Sequence, residues 1–192
     1  MSAAEGVAMR NRKTRMLNWR DKGRGWMRSA LGLGLLAAFT MAAGCEEPDL
    51  TVPSASEVKT AFEYEGDLSV SINGNVAELT VVQPERQISR GGSLWAKVGP
   101  YVILFSEETH RLFQSYTGLA AVRVKTVLPS GQEIAQALLP RDSLNELTWR
   151  RARNIAGKAR RDGTRRPTLL EDLVRWGEDH TEYEYNPRYT RS

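Results

Sequence analysis

Between residues 66 and 82 the chain reads GDLSVSINGNVAELTVV, and its apolar positions alternate with polar ones: Leu68, Val70 and Ile72, then Val76, Leu79 and Val81 beyond Asn73-Gly74. A period of two on either side of a turn that tolerates positive φ predicts a hairpin. A second hairpin follows the same logic, with Ala121, Val122, Val124 and Val127 leading into Pro129-Ser130-Gly131 and Ile134, Ala135, Ala137 and Leu138 returning. Between them, residues 84–92 read as a polar loop. Leu94, Trp95, Val98 and the unbroken apolar run 101–105 then predict a buried central strand, bent or bulged at Gly99-Pro100. Ser106 with Glu107 and Glu108 behind it predicts a helix start, with Leu112, Phe113 and Tyr116 on one face and Gly118 at its end; a continuing strand is the alternative.

In the last third the apolar period changes from two to 3.6. Ser143-Leu144-Asn145-Glu146 has the form of a capping box, and Leu144, Leu147, Trp149, Ala152, Ile155, Ala156 and Ala159 share an arc of the helix it opens, which Asp162-Gly163 ends. Thr168-Leu169-Leu170-Glu171 forms a second box after Pro167, with Leu169, Leu170, Leu173, Val174 and Trp176 as the apolar stripe. In the tail, Thr181, Tyr183 and Tyr185 alternate with Glu182 and Glu184, the pattern of a final edge strand. The class predicted is α+β: an antiparallel sheet of two hairpins and a central strand, packed with a C-terminal helix pair at 143–162 and 169–178. It forms one domain over residues 57–192.

The amino-terminal quarter has a different character. Residues 30–44 are apolar, too few to cross a hydrocarbon core that needs roughly 20 residues of helix. Arg10, Arg12, Lys13, Arg15, Arg20, Lys22, Arg24 and Arg28 precede them, and the run closes on small residues, as a secretory signal does. Met27 would open a compact signal by itself, MRSALGLGLLAAFTMAAGC, and Met27 or Met16 is the expected alternative start. Met41-Ala42-Ala43-Gly44-Cys45 resembles the lipobox of bacterial lipoproteins, with Ala42 where leucine is commonest. The resemblance implies removal of residues 1–44, a diacylglyceryl thioether on Cys45 and an acylated new amino terminus. Ordinary signal peptidase would accept Ala42 and Gly44 as well and leave a free thiol; an uncleaved anchor is the third alternative. Residues 45–56, CEEPDLTVPSAS, read as a lipidated tether. Glu46, where aspartate would signal inner-membrane retention, favours the outer membrane by the same resemblance.

This reading changes the meaning of the charge. The whole chain is net +4, but residues 1–44 hold 8 basic and 2 acidic groups, so the remainder is net −2. That balance and the compartment argue against nucleic acid as a partner. Within the remainder, nine bases between Arg141 and Arg166 face either solvent or anionic headgroups and envelope polymers.

Candidate chemistry is sparse. No cofactor fingerprint, phosphate-binding glycine loop or metal-ligand spacing is present, and with Cys45 lipidated the catalytic candidates reduce to His110 and His180. His110 in SEETHRLF reads as a partly exposed helix residue. His180 has Glu178, Asp179 and Glu182 around it, which read as a solvated helix end or as divalent-metal ligands. Trp95, Trp149 and Trp176 read as core or pocket lining, and Tyr183, Tyr185 and Tyr189 as the interaction candidates, unless they dock on the protein's own sheet. The function expected is that of a non-catalytic binding or assembly component of the cell envelope, outside the cytoplasm. It would be held to a membrane by lipid and would meet an envelope protein or polysaccharide. The alternative is a small periplasmic hydrolase or metal-dependent enzyme using His180 or His110.

Overall fold

The computed structural model describes residues 50–64 and 66–191; the leader, Cys45 and the start of the expected tether lie outside these residues. The first helix, α1 (Ala55–Phe62), starts where a tether is expected. Ser54 caps it: its hydroxyl accepts from the Glu57 N–H while the Glu57 carboxylate accepts from the Ser54 N–H, and Val58 and Phe62 are buried one turn apart. The hydrogen bond from the Ser54 N–H is the first cause holding the Glu57 carboxyl below its ordinary value. Upstream, Thr51 accepts a hydrogen bond from the Gly118 N–H at 3.0 Å, and a Cβ on Gly118 would lie 2.1 Å from the Leu50 carbonyl oxygen. Residues 50–56 therefore belong to the fold, which corrects the boundary expected at 56/57.

Both predicted hairpins form. Strands β1 (Leu68–Asn73) and β2 (Val76–Val82) pair antiparallel around Gly74 at φ 60°, and so do β3 (Ala121–Val127) and β4 (Glu133–Pro140) around Gly131 at φ 82°. The short β5 (Glu182–Tyr185) adds antiparallel to β4, giving the order β1-β2-β3-β4-β5. Only β2 and β3 run parallel, because the chain between them crosses over through two helices.

The expected central strand is absent, and those residues form that crossover. Helix α2 (Glu85–Leu104) takes up the predicted polar loop from residue 85 on and the apolar run as far as Leu104, with Phe105 as its C-cap and a kink at Gly92 (φ 62°). Trp95, Val98, Tyr101 and Phe105 are buried, recurring at intervals of three or four, so the period is helical throughout. Gly99-Pro100 does not end the helix. Thr126 and Gln83 come close enough to Gly99 that a Cβ there would lie 2.9 Å from the threonine methyl and 3.0 Å from the amide oxygen. A short turn follows, and α3 (Glu107–Ser115) starts as expected, with the Ser106 hydroxyl accepting from the Thr109 N–H.

Helix α4 (Glu146–Asp162) starts two residues beyond the expected cap: Asn145 caps it together with Thr148, and Ser143 closes a 3-10 turn. This places Leu147, expected on the core arc, at 72 % exposure, while Trp149, Ala152, Ala156 and Ala159 are buried. Helix α5 (Thr168–His180) has Pro167 at its cap position and no side-chain cap, because Thr168 already lies inside the first turn. α2 lies on β3 and β4, α4 and α5 pack against α2, and α1 covers β1. The result is the predicted α+β class, with a main core between the sheet and the helices and a smaller cluster of Ala96, Leu128, Ile134 and Ala135 beside it.

Candidate binding cleft

A cleft of about 680 Å³ opens where α1, the end of β2, α2 and the start of α3 converge. That size suits a small ligand or a few units of a polymer. Its rim is set by the end of α1: Glu63 adopts the left-handed conformation (φ 41°) that terminates the helix, and Tyr64, 43 % exposed, follows it. Partial burial raises the Tyr64 phenol above its ordinary value. Phe62 and Trp95 supply apolar wall. Gln83, Gln87, Ser106 and Glu108 supply polar groups, and Arg160 reaches in from α4.

Gln83 stands out on this wall. It is 4 % exposed, its Nε2 donates to the Trp95 carbonyl at 3.1 Å, and its Oε1 is buried with no hydrogen-bond partner among the described residues. The bond to Trp95 assigns the amide orientation, since only the nitrogen can donate there. Leaving a buried acceptor unpaired costs about 1–3 kcal/mol. Neighbouring Thr126 is satisfied, its hydroxyl donating to the Ala135 carbonyl. Of these cleft residues only Trp95 is foreseen from sequence as pocket lining; Gln83 falls between the second predicted strand and the loop predicted from Pro84.

The histidines are placed apart from the cleft. His110, expected to be partly exposed, is buried against Trp149 with ring centroids 4.7 Å apart. Its Nε2 faces Glu146 at 3.6 Å and Gln114 at 3.3 Å, and its Nδ1 is buried without a hydrogen-bond partner among the described residues. His180 stacks on Trp176 at 4.1 Å, and Arg151 lies 4.8 Å from that indole. His180 Nδ1 bonds the Trp176 carbonyl. His180 borders a shallow depression that Ser143, Asp179 and Glu182 also line. Among the described residues no group of three His, Cys, Asp or Glu side chains is placed to hold a metal ion.

The tyrosine tail docks on its own sheet. Tyr185 turns inward, its hydroxyl 2.6 Å from that of Tyr101, and the Tyr189 hydroxyl donates to Gln132. Tyr183 alone of the three remains well exposed, at 46 %. Burial is the first cause of the shifts in the inner pair: it pushes the Tyr101 phenol up to about 12 and raises Tyr185 further, to which the hydrogen bond between the two hydroxyls adds. Raised phenol values mean that the neutral forms stabilise the fold. The contribution is complete below pH 10, the ordinary phenol value, and is lost as the pH rises towards about 12. The urea midpoint should accordingly fall above pH 10, and less steeply in a Tyr101→Phe/Tyr185→Phe variant; identical slopes would refute this origin for alkaline instability.

Among the described residues no helix is long and apolar enough to cross a membrane. No protein-family model, curated protein or solved structure matches this chain.

Proposed function

We propose that this chain is a cell-envelope lipoprotein, held to a membrane through Cys45, whose folded domain binds a hydroxyl-rich ligand, a saccharide of an envelope polymer, without chemistry of its own. The cleft carries this reading. Its walls mix aromatic faces, on which a sugar ring can lie, with amide, hydroxyl and carboxylate groups that exchange hydrogen bonds with hydroxyls. The signal and tether pattern supports the compartment, and the net charge of −2 beyond residue 44 fits a partner that is not nucleic acid.

The catalytic alternative has one observation in its favour, the presence of Ser143 and His180 around one depression. No hydrogen bond joins their side chains among the described residues, and the His180 nitrogen that a carboxylate would orient is bonded to a backbone carbonyl instead. One set of variants separates the readings. Tyr64→Ala/Gln87→Ala should weaken oligosaccharide binding by about tenfold or more, equivalent to about 1.4 kcal/mol, with unchanged melting temperature. His180→Ala should leave binding and envelope function intact. Loss of function in His180→Ala with retained fold, and full binding in the cleft variant, would reverse the assignment.

A further inference from the structure

The cleft continues beyond Arg160. Val102, Ser106, Glu108 and Arg160 line both it and a second hollow of about 480 Å³, which runs along α4 past Gly157 to Arg153 and Arg150. Positions 150, 153, 157 and 160 recur at helical spacing and share one face. Arg153 is committed to Glu107, which also holds Arg111, yet among the described residues the Arg153 Nε is buried without a partner. Among the described residues Arg150 and Arg160 have no ion-pair partner at all, and Glu108 is the uncommitted acid beside them.

Gly157 is the second observation. A glycine inside a helix is destabilising relative to alanine, so it needs a reason. The other glycines whose surroundings are described have one in the fold. Gly74, Gly92 and Gly131 have positive φ, and a Cβ on Gly66, Gly99, Gly118, Gly163 or Gly177 would strike a neighbour at under 3.0 Å. At Gly157, φ is ordinary and the nearest atom to an added Cβ is the Arg161 guanidinium, 3.9 Å away. The fold has room for a side chain here and carries none. What the glycine does is leave bare backbone as the floor of the hollow between the arginines.

We infer that this face of α4 is an anion subsite of the cleft, which takes the carboxylate or phosphate oxygens of a charged saccharide whose neighbouring ring lies towards Tyr64. Guanidinium forks match such oxygens in geometry and charge, and Arg150 and Arg160, exposed and without an ion-pair partner among the described residues, are free to receive them. The inference rests on the saccharide reading of the cleft, and the experiment separates the two. Native protein in detergent is titrated with trigalacturonate, with the neutral trisaccharide galactotriose and with inorganic phosphate, followed by calorimetry. Trigalacturonate should bind about tenfold more tightly than galactotriose, a preference that weakens with salt. Arg150→Gln/Arg160→Gln should abolish the preference, and Arg150→Gln alone, which changes no residue of the cleft, should weaken it while leaving galactotriose binding unchanged. Gly157→Ala should reduce trigalacturonate binding several-fold while melting temperature stays level or rises, an outcome no structural role for the glycine produces. Equal affinity for the two trisaccharides, or a preference that survives the arginine variant, overturns the subsite and leaves the cleft reading standing. Phosphate binding that depends on Arg150 and Arg160, with no trisaccharide binding, sustains the subsite and overturns the cleft reading; no binding of any probe overturns both.

Discussion

Trp149→Ala should destabilise the domain by about 3–5 kcal/mol, the range for removing a large buried aromatic side chain. The indole is 4 % exposed near the start of α4, stacked on His110 and tilted against Phe113 at 6.1 Å. Truncation removes two effects together: the apolar burial and the ring contacts. It would also free the first turn of α4 from α3, which the tilted Phe113 contact now ties together. A domain of this size has about 5–15 kcal/mol of total stability, so the variant should be partly unfolded at growth temperature. Leu147→Ala is the internal control. It lies two residues away on the same turn but is exposed, and should change the urea midpoint by no more than about 0.5 kcal/mol. Similar midpoints for the two variants would show that α4 does not present the face described.

The second large effect concerns location. Cys45→Ser should move the protein from the membrane fraction into the soluble fraction of the cell envelope. Each buried methylene contributes about 0.8 kcal/mol, so two or more acyl chains hold a protein stably where a single chain holds it marginally. Serine offers no thiol for the diacylglyceryl group, and the resemblance makes that thioether the condition for cleavage. The variant should therefore lose its anchor, and its intact mass shows whether the leader has been removed. Binding to the cleft in detergent should be unaffected, because residues 50–53 join the folded domain and Cys45 precedes them. Unchanged membrane retention, with the leader removed, would transfer the anchoring role to another part of the chain.

The strands were legible because their patterns are unambiguous: alternating residues on either side of Asn-Gly or Ser-Gly turns have one reading. Helices α3, α4 and α5 were legible for the same reason at a longer period, although their caps shifted by up to two residues where Asn145 and Pro167 took the cap positions. The segment 94–105 was not, since an unbroken apolar run of five fits a buried strand or a buried helix equally well locally. Gly99-Pro100 tipped the balance towards strand, and only the longer spacing from Trp95 to Phe105 distinguishes the helix. For α1 the signal was present in Ser54-x-x-Glu57 followed by Val58 and Phe62, but the prolines and acids around it resembled a tether. The cleft was almost invisible in the sequence. Gln83, Gly99 and Gly157 carry meaning only once α2 and α4 are in place, because a missing Cβ or an unpaired amide oxygen has no signature along the chain. The arginines of α4 were visible as an excess of charge, but not as a row facing a hollow.

The most direct test is the intact mass of the protein purified from native envelopes. The account predicts a chain that starts at Cys45 and carries the added mass of a diacylglyceryl group and an amino-terminal acyl chain. A bare Cys45, or a chain with the leader still attached, would contradict it.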